Sequence, residues 1–301
     1  PAERWSVMAT GSMFYTPQQQ MGHEGYSVPC RIGNWAEDEY LKAAHTHEFM
    51  QKASSGLLSS TKLASTIGVA TSAVELAPPH PDGLLRFGDT VMLSSALGGA
   101  LCGNTNDRLQ LNQEAYQVSR ANLAEPQQRS CWTIVPAGNG TPEDGLLRYG
   151  EPFQLIAGRS PSSEPLFLQG QRSTLLNGSY SGSICGAERK HCVCLAYAPS
   201  YMTTQWMATP LNPNPVEQLA LDKQPIPANT FVSITHLGTR IKLCSDDHKE
   251  RNKFGVEMGV SLFTDADIAK AAWGSREGKG CGALNHFAFT TGVADSNGAH
   301  E

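Results

Sequence analysis

A ten-residue stretch occurs twice in this chain with the same order of chemical types. Residues 84–93 read LLRFGDTVML, and residues 146–155 read LLRYGEPFQL. Each has two leucines, an arginine, an aromatic residue, a glycine and an acidic residue, followed by alternating apolar side chains. A unit that repeats in a sequence buries its apolar face against its own copies. The repeat therefore limits the fold to similar lobes packed around a shared core.

A third copy begins in the segment PIPANTFVSITHLG. It comes into register when Asn229 is placed at the position of Gly88 and Gly150, because Val232 and Ile234 then continue the apolar alternation. Asparagine accepts a positive φ more readily than most non-glycine residues, so it can replace a glycine that turns the chain into a strand. We predict that all three residues have a positive φ.

Each copy is followed by a second β-prone segment and later by an aromatic residue between β-forming side chains. The second segments contain Leu101, Leu168 and Leu243, and the closing aromatics are Trp132, Trp206 and Phe287. Three such units, each too small to fold alone, close most simply around a pseudo-threefold axis. The predicted fold class is mainly β. It is a β-trefoil over residues 84–292, with lobes at about 84–136, 146–210 and 225–291.

The chain on either side of the repeats carries different signals. Residues 1–33 are rich in Gly, Pro and Gln without a period and are predicted to form an extended N-terminal arm, and residues 293–301 a C-terminal tail. Residues 34–83 are predicted to form a helix and a Ser/Ala-rich connector. Asn34 begins a capping-box pattern with acidic residues in the first turn, and Gly56 can end the helix.

The predicted helix and the residues before it are the candidate partner-binding site. A large aromatic residue close to an arginine is typical of an interface anchor, and the helix has one face at the i, i+3, i+4 spacing. The candidates are Arg31, Asn34, Trp35, Tyr40, His47 and Met50, and Ala43 and Ala44 lie on the same face. The alternative is that Trp35 attaches the helix to the barrel.

Charge and hydropathy exclude several classes of partner. Lys and Arg number 23 against 28 Asp and Glu, the net charge is −5, and no basic block occurs. A nucleic-acid surface needs clustered cations, so no nucleic acid is expected. No apolar run approaches the ~20 residues of a membrane span, and the N-terminus lacks the pattern of a signal peptide. We expect a soluble, cytoplasmic protein without a membrane partner.

The sequence contains no convincing catalytic or metal-binding pattern. Cys185, His191, Cys192 and Cys194 could ligate zinc, but on a strand His191 points away from the two cysteines that follow it, and no second Cys-x-x-Cys occurs. Carboxylate pairs, a Ser-His-Asp order and a glycine-rich fingerprint are not recognisable. The prediction is a non-enzyme with no cofactor and no metal, whose cysteines are reduced thiols.

The order of five motifs resembles the family of cilia- and flagella-associated protein 161. The motifs are RIGNWAEDEYL, RFGDTVML, LRYGEPFQL, PIPANTFVSI and NHFAFTTG, and they extend from Arg31 to Gly292. The repeat openings are also similar to those of MIR domains, which are β-trefoils. The family resemblance implies a structural microtubule inner protein on the lumenal wall of the A-tubule in axonemal doublet microtubules. It would bind tubulin and neighbouring inner proteins, stabilise the lattice and support motility of the cilium or flagellum.

A lectin-like module that binds carbohydrate or another ligand on a trefoil is the alternative. Aromatic side chains that recur in each lobe could stack on sugars, and they are Phe87, Tyr149, Trp132, Trp206 and Phe287. Their equivalent places in the three lobes favour packing in the core instead. Burial of these rings distinguishes the two interpretations.

Overall fold

The computed structural model divides the chain into two compact units, Pro1–Ala64 and Ser65–Glu301. The residues that the structure describes are 35–109, 115–123, 125–138, 140, 142–158, 160, 164–172, 191–197, 200–211, 215–264 and 282–292. The predicted arm, the C-terminal tail, Arg31 and Asn34 lie outside them.

Helix α1 (Trp35–Ser54) is the helix predicted from the sequence, two residues longer than the roughly 18 expected. It ends two residues before Gly56, which has a φ of 68° and whose amide donates to the carbonyl of Ala53, while the Leu57 amide donates to the carbonyl of Lys52. This pair of hydrogen bonds satisfies two carbonyls at the end of the helix and needs a residue that accepts a positive φ. Gly56 therefore ends the helix as predicted.

A second helix, α2 (Ser59–Ala70), occupies part of the predicted connector. This helix was not predicted from the sequence, because the segment SSTKLASTIGVA has no acidic residue in its first turn and contains a glycine and several β-branched residues.

The second unit is mainly β, with its strands in one sheet of twelve. The strands are β1 (Thr90–Ser95), β2 (Ala100–Arg108), β3 (Tyr116–Ala121), β4 (Cys131–Pro136), β5 (Pro152–Ala157), β6 (Phe167–Gln171), β7 (His191–Ala196), β8 (Trp206–Pro210), β9 (Phe231–His236), β10 (Leu243–Asn252), β11 (Gly255–Leu262) and β12 (His286–Thr290). Two short helices, α3 (Tyr201–Thr204) and α4 (Pro215–Leu221), and a 3-10 turn at Ala283–Asn285 complete the described elements.

Six strands close on themselves in a ring that we call the barrel ring. Antiparallel pairs run β1–β4, β4–β5, β5–β8, β8–β9, β9–β12 and β12–β1. The other six strands form three hairpins, β2–β3, β6–β7 and β10–β11, which we call the hairpin cap. In the cap, β3, β7 and β11 pair with one another. Each repeat contributes two ring strands and one cap hairpin.

The three turns that open the repeats have the predicted conformation. Gly88, Gly150 and Asn229 have φ values of 96°, 76° and 60°. Their amides donate equivalent hydrogen bonds of 2.7, 3.0 and 2.9 Å to the carbonyls of residues 134, 208 and 289, each two residues beyond a closing aromatic. The alignment of the third repeat is therefore confirmed.

We expect Asn229→Val to lower the free energy of unfolding by about 1–2 kcal/mol, because a β-branched residue is strained at a positive φ. Asn229→Gly should cost less than Asn229→Val, since glycine accepts this φ freely and only the side-chain hydrogen bonds to Thr291 are lost. Urea denaturation of both variants measures the difference, with Thr230→Val, at an exposed neighbouring residue, as control. Equal costs for Val and Gly at position 229 would contradict a conformational role for this residue.

The backbone groups of three apolar residues form a closed circle of hydrogen bonds at one end of the ring. The amide of Leu85 donates to the carbonyl of Ile226, that of Ile226 to Leu147, and that of Leu147 to Leu85, at 3.0, 2.9 and 2.9 Å. All three side chains are fully buried. The backbone of each lobe's opening segment is therefore hydrogen-bonded to the opening segments of both other lobes.

The closing aromatics lie in the core, as predicted. Trp132, Trp206 and Phe287 are buried, and the indole Nε1 atoms of the two tryptophans donate to the carbonyls of Leu101 and Leu168 at 3.0 and 2.9 Å. Phenylalanine has no such donor. In the third lobe, the side-chain amide of Asn285 donates to the equivalent carbonyl, that of Leu243, at 2.8 Å.

The ordered contacts of the β unit begin before the predicted boundary at residue 84. Ala70 is buried, and its carbonyl accepts from the amide of Arg129. The Ala77 amide donates to the carbonyl of Thr90 in β1, and the Ala77 carbonyl accepts from Gly292. Residues 70–77 therefore belong with the barrel, because they satisfy backbone groups on its outer side.

Candidate partner-binding helix

Helix α1 carries three of the six candidate residues with described side chains. Tyr40 is 76% exposed, Met50 is 61% exposed and His47 is also exposed. Because a helix turns about 100° per residue, these three side chains fall within roughly a quarter turn of one another. The structure therefore places them on one accessible face. Trp35 begins the helix, but its side chain lies outside the described part, so both interpretations of Trp35 remain predictions.

The apolar surface of α1 is not confined to that face. Leu41 is 50% exposed and Phe49 is 57% exposed, and they lie about 100° and 180° around the helix from Tyr40. Every described side chain from Tyr40 to Ser55 is exposed. Exposed apolar side chains of this size on one helix are typical of a segment that contacts a partner.

The aromatic rings considered for sugar stacking are buried or partly buried. Trp132 and Trp206 are 0% exposed, Phe287 is 1% exposed and Tyr149 is 5% exposed. Phe87 is partly buried against the same core. A stacking platform needs an accessible ring face, so the geometry supports core packing and removes the observation on which the lectin interpretation rested.

A buried ion pair joins the connection between β3 and β4 to hairpin β10–β11 of the cap. Arg129 donates from Nη2 to Oε1 of Glu257 at 2.7 Å, and both side chains are almost fully buried. Ser119 on β3 and Asn252 on β10 donate to Oε2 at 2.5 and 2.6 Å. Burial alone would raise the pKa of Glu257, but the hydrogen bonds from these three residues and the charge of Arg129 hold the pKa below its usual range. Phe254 covers the guanidinium, whose Cζ lies 4.1 Å from the ring centroid.

This network is saturated, which argues for a structural role. The second guanidinium nitrogen, Nη1, donates to Oδ1 of Asn104 at 3.2 Å, and the Asn104 amide donates to Ser119 Oγ at 2.7 Å. A catalytic carboxylate needs a free position facing a cleft, whereas both oxygens of Glu257 are occupied by internal donors.

Both ring nitrogens of His236 are likewise occupied by hydrogen bonds within the fold. The ring is fully buried beside Trp206, its Nε2 donates to the carbonyl of Thr203 at 3.0 Å, and Nδ1 accepts from the amide of Thr239 at 3.2 Å. Burial lowers the pKa of His236 and outweighs the opposing effect of the Thr203 carbonyl. The imidazole is therefore held neutral in one tautomer.

The structure brings together only part of the cysteine-rich segment. His191, Cys192 and Cys194 lie on β7, and Cys185 lies outside the described residues. Within the described ranges, no three His, Cys, Asp or Glu side chains are arranged to hold a metal ion. No helix among the described elements is long and apolar enough to span a bilayer.

Comparisons with known proteins give the family. The sequence profile of the cilia- and flagella-associated protein 161-like domain matches residues 103–275. Cilia- and flagella-associated protein 161 of Bos taurus is 29% identical over 264 residues, covering 82% of this chain and 79% of the relative. The protein of the same name from Danio rerio is 25% identical over 285 residues, covering 88% of each chain.

Solved structures share less with this chain. The SDF2-like protein from Arabidopsis thaliana covers 70% of this chain and 98% of its own, at 12% sequence identity and a TM-score of 0.45. A Caenorhabditis elegans protein of unknown function covers 71% of this chain and 99% of its own, at 11% identity and a TM-score of 0.48. Neither bears on function. The family match, in contrast, spans more than half of the chain, including most of the hairpin cap. The chain therefore belongs to the family of cilia- and flagella-associated protein 161.

Proposed function

We propose that this protein is a non-enzymatic microtubule inner protein that binds the lumenal wall of the A-tubule in doublet microtubules of the cilium or flagellum. Its partners there would be tubulin and neighbouring inner proteins, and its role would be to stabilise the lattice and support motility. Family membership is the observation that carries the proposal. The saturated buried polar groups around Glu257 and His236 are consistent with a structural rather than a catalytic protein.

We further propose that the β unit is a β-trefoil. Three features support it: the closed barrel ring, the hairpin cap, and the circle of hydrogen bonds among Leu85, Leu147 and Ile226. Each lobe makes an equivalent contribution to all three. A barrel closed in this way leaves few unpaired strand edges, which suits a protein that is packed among many copies of a partner.

Helix α1 is proposed as an attachment element outside the barrel. Its exposed face of Tyr40, His47 and Met50 combines an aromatic, a titratable and a flexible apolar side chain. Such side chains bury a large area at an interface, and aromatic residues there carry much of the binding free energy. None of them is needed to complete a lobe, because the repeats begin only at residue 84.

The test replaces Tyr40 and Met50 together with aspartate in a tagged protein expressed in ciliated cells that lack the endogenous copy. We expect retention in axonemes washed with detergent and high salt to fall at least about tenfold, since loss of one hot-spot contact weakens binding by that factor or more. Immunoblotting of axonemal and soluble fractions measures it. The control is His45→Asp, which places an aspartate at an exposed polar residue on the opposite side of α1.

Three outcomes distinguish the parts of the proposal. Wild-type protein in the washed axoneme, with selective loss of the double variant, supports both the location and the helix face. Retention of the double variant at wild-type level would assign attachment to the barrel or to residues 1–33, which a truncation of residues 1–33 then separates. Extraction of the wild-type protein into the detergent-soluble or high-salt fraction would refute binding inside the microtubule.

A further inference from the structure

Hairpin β10–β11 places its acidic residues and its cations on opposite faces. On the face turned towards β3, the Glu250 carboxylate accepts a hydrogen bond from the side-chain amide of Gln117 at 2.6 Å. Glu257, directly opposite Glu250, accepts from Asn252 at 2.6 Å and pairs with Arg129. The acidic side chains of this hairpin are therefore held by groups within the cap.

Lys249 and Arg251 carry the charge of the other face. Alternate residues of a strand point in opposite directions, so these two side chains lie on the face away from Glu250. Both are exposed, and neither forms an ion pair with a described residue. A chain with a net charge of −5 thus presents two neighbouring cations without a countercharge on one strand.

The same strand has an open backbone edge. Among the described strands, β10 pairs with β11 alone. Asn252 and Gly255 close the hairpin around a two-residue loop, which makes them a hydrogen-bonded pair. Hydrogen-bonded and non-hydrogen-bonded pairs alternate along an antiparallel ladder. The backbone N–H and C=O groups of Arg251 and Lys249 therefore point away from β11, along the outer edge of β10.

We propose that the outer edge of β10 binds an extended, acidic segment of a partner protein as an added strand. The backbone groups of Lys249 and Arg251 would hydrogen-bond the segment, and alternate Asp or Glu side chains of the segment would pair with the two cations. This surface lies on the β unit and is separate from helix α1. The inference goes beyond the proposed function and does not depend on it.

Charge complementarity selects this occupant over two others. Two copies of the chain paired edge to edge would bring four cations together, and cations on an edge strand oppose such pairing. A nucleic acid gains affinity from many phosphate contacts, whereas this edge offers two cations in an acidic chain. An acidic strand satisfies both the backbone groups and the charges.

The test uses a fluorescein-labelled peptide of about ten residues in which glutamate and threonine alternate, with binding to the purified full chain measured by fluorescence anisotropy. We expect Lys249→Glu together with Arg251→Glu to weaken binding at least about tenfold, because two attractive pairs become repulsive. The matched control is Lys223→Glu with Arg240→Glu, one exposed lysine and one exposed arginine elsewhere on the β unit. It makes the same change in net charge and should alter binding by no more than about twofold.

A second measurement tests strand addition itself. Saturating peptide should slow hydrogen exchange of the Lys249 and Arg251 amides at least about tenfold, because an added strand hydrogen-bonds both. Unchanged exchange at these amides, or equal weakening by the control variant, would overturn the proposal. So would equal or tighter binding of an oligouridine RNA, or self-association of the chain that the double variant abolishes. Circular dichroism establishes that the variants are folded, and a pair that fails to fold is replaced by glutamine at both positions.

Discussion

Replacing Arg129 with methionine will lower the free energy of unfolding at neutral pH by about 3–5 kcal/mol, because it leaves the Glu257 carboxylate buried without its countercharge. Arg129 supplies the hydrogen bond to Oε1, while Ser119 and Asn252 bond to Oε2. Chemical denaturation of the purified variant measures the loss. Arg129 belongs to the first lobe and Glu257 to the third, so loss of the pair weakens the contact between these two lobes.

The pH dependence gives this prediction a specific signature. In the wild type the pKa of Glu257 is depressed on folding, so the stability that the carboxylate contributes is present above its unfolded pKa and is lost as pH falls. Without Arg129 we expect the folded pKa to rise above the unfolded one, which reverses the sign. The deficit of Arg129→Met should therefore shrink as pH falls from 7 towards 4. A deficit of constant size would show that the guanidinium acts through packing on Phe254 alone.

A double replacement is the matched control for the ion pair. Arg129→Met with Glu257→Met removes both charges together and should recover most of the stability lost in the single variant, because buried pairs exchanged for apolar residues of similar volume are often neutral. Failure to recover would mean that the remaining polar groups, Asn104 and Ser119, depend on the pair for their own hydrogen bonds.

Trp132→Ala is expected to lower the free energy of unfolding by about 3–5 kcal/mol, since it opens a large cavity in a fully buried site. It also removes the indole donor of the Leu101 carbonyl. Urea denaturation and the thermal midpoint both report the loss. A cost below about 1 kcal/mol would contradict the placement of this ring at the centre of the first lobe.

The contribution of the hydrogen bond from Trp132 to the free energy of unfolding can be measured separately from that of its packing. Trp132→Phe retains much of the ring but leaves the Leu101 carbonyl without its donor, and we expect a cost of about 1–3 kcal/mol. Asn285→Ala in the third lobe removes the equivalent donor to the Leu243 carbonyl and also the donor to the Phe263 carbonyl, so we expect a larger cost than that of Trp132→Phe. An equal or smaller cost for Asn285→Ala would show that the donors are equivalent in position but not in energy.

The repeat was the most informative signal in the sequence. It predicted the positive φ of Asn229 and the burial of Trp132, Trp206 and Phe287, because each follows from local chemistry that is written three times. Helix α1 and its end at Gly56 followed from capping patterns that involve only neighbouring residues. These are the features that short-range patterns can determine.

The features that were missed depend on contacts between distant parts of the chain. Arg129 and Glu257 lie 128 residues apart in sequence, and only the fold brings their side chains within 2.7 Å of each other. The replacement of an indole donor by Asn285 could have been suspected, since phenylalanine in the third lobe leaves a carbonyl unpaired, but its position depends on the fold. Helix α2 was missed because its composition has weak helix propensity. The helical spacing predicted which residues share the candidate face of α1. No local sequence pattern identifies the partner that binds there.

Closure of the barrel ring also sets the order in which the protein can be made. Strand β1 pairs with β12, and Ser94 and Thr290, which bond at 2.8 Å, are 196 residues apart in sequence. At a synthesis rate of roughly 5–20 residues per second, β1 waits about 10–40 s on the ribosome for its last neighbour to be made. During that time one edge of the first lobe has no native partner, and contacts of such sequence separation form slowly. Closure of the barrel therefore waits until the third lobe has been made, and the nascent first lobe is the stage at which a molecular chaperone would have the most to protect.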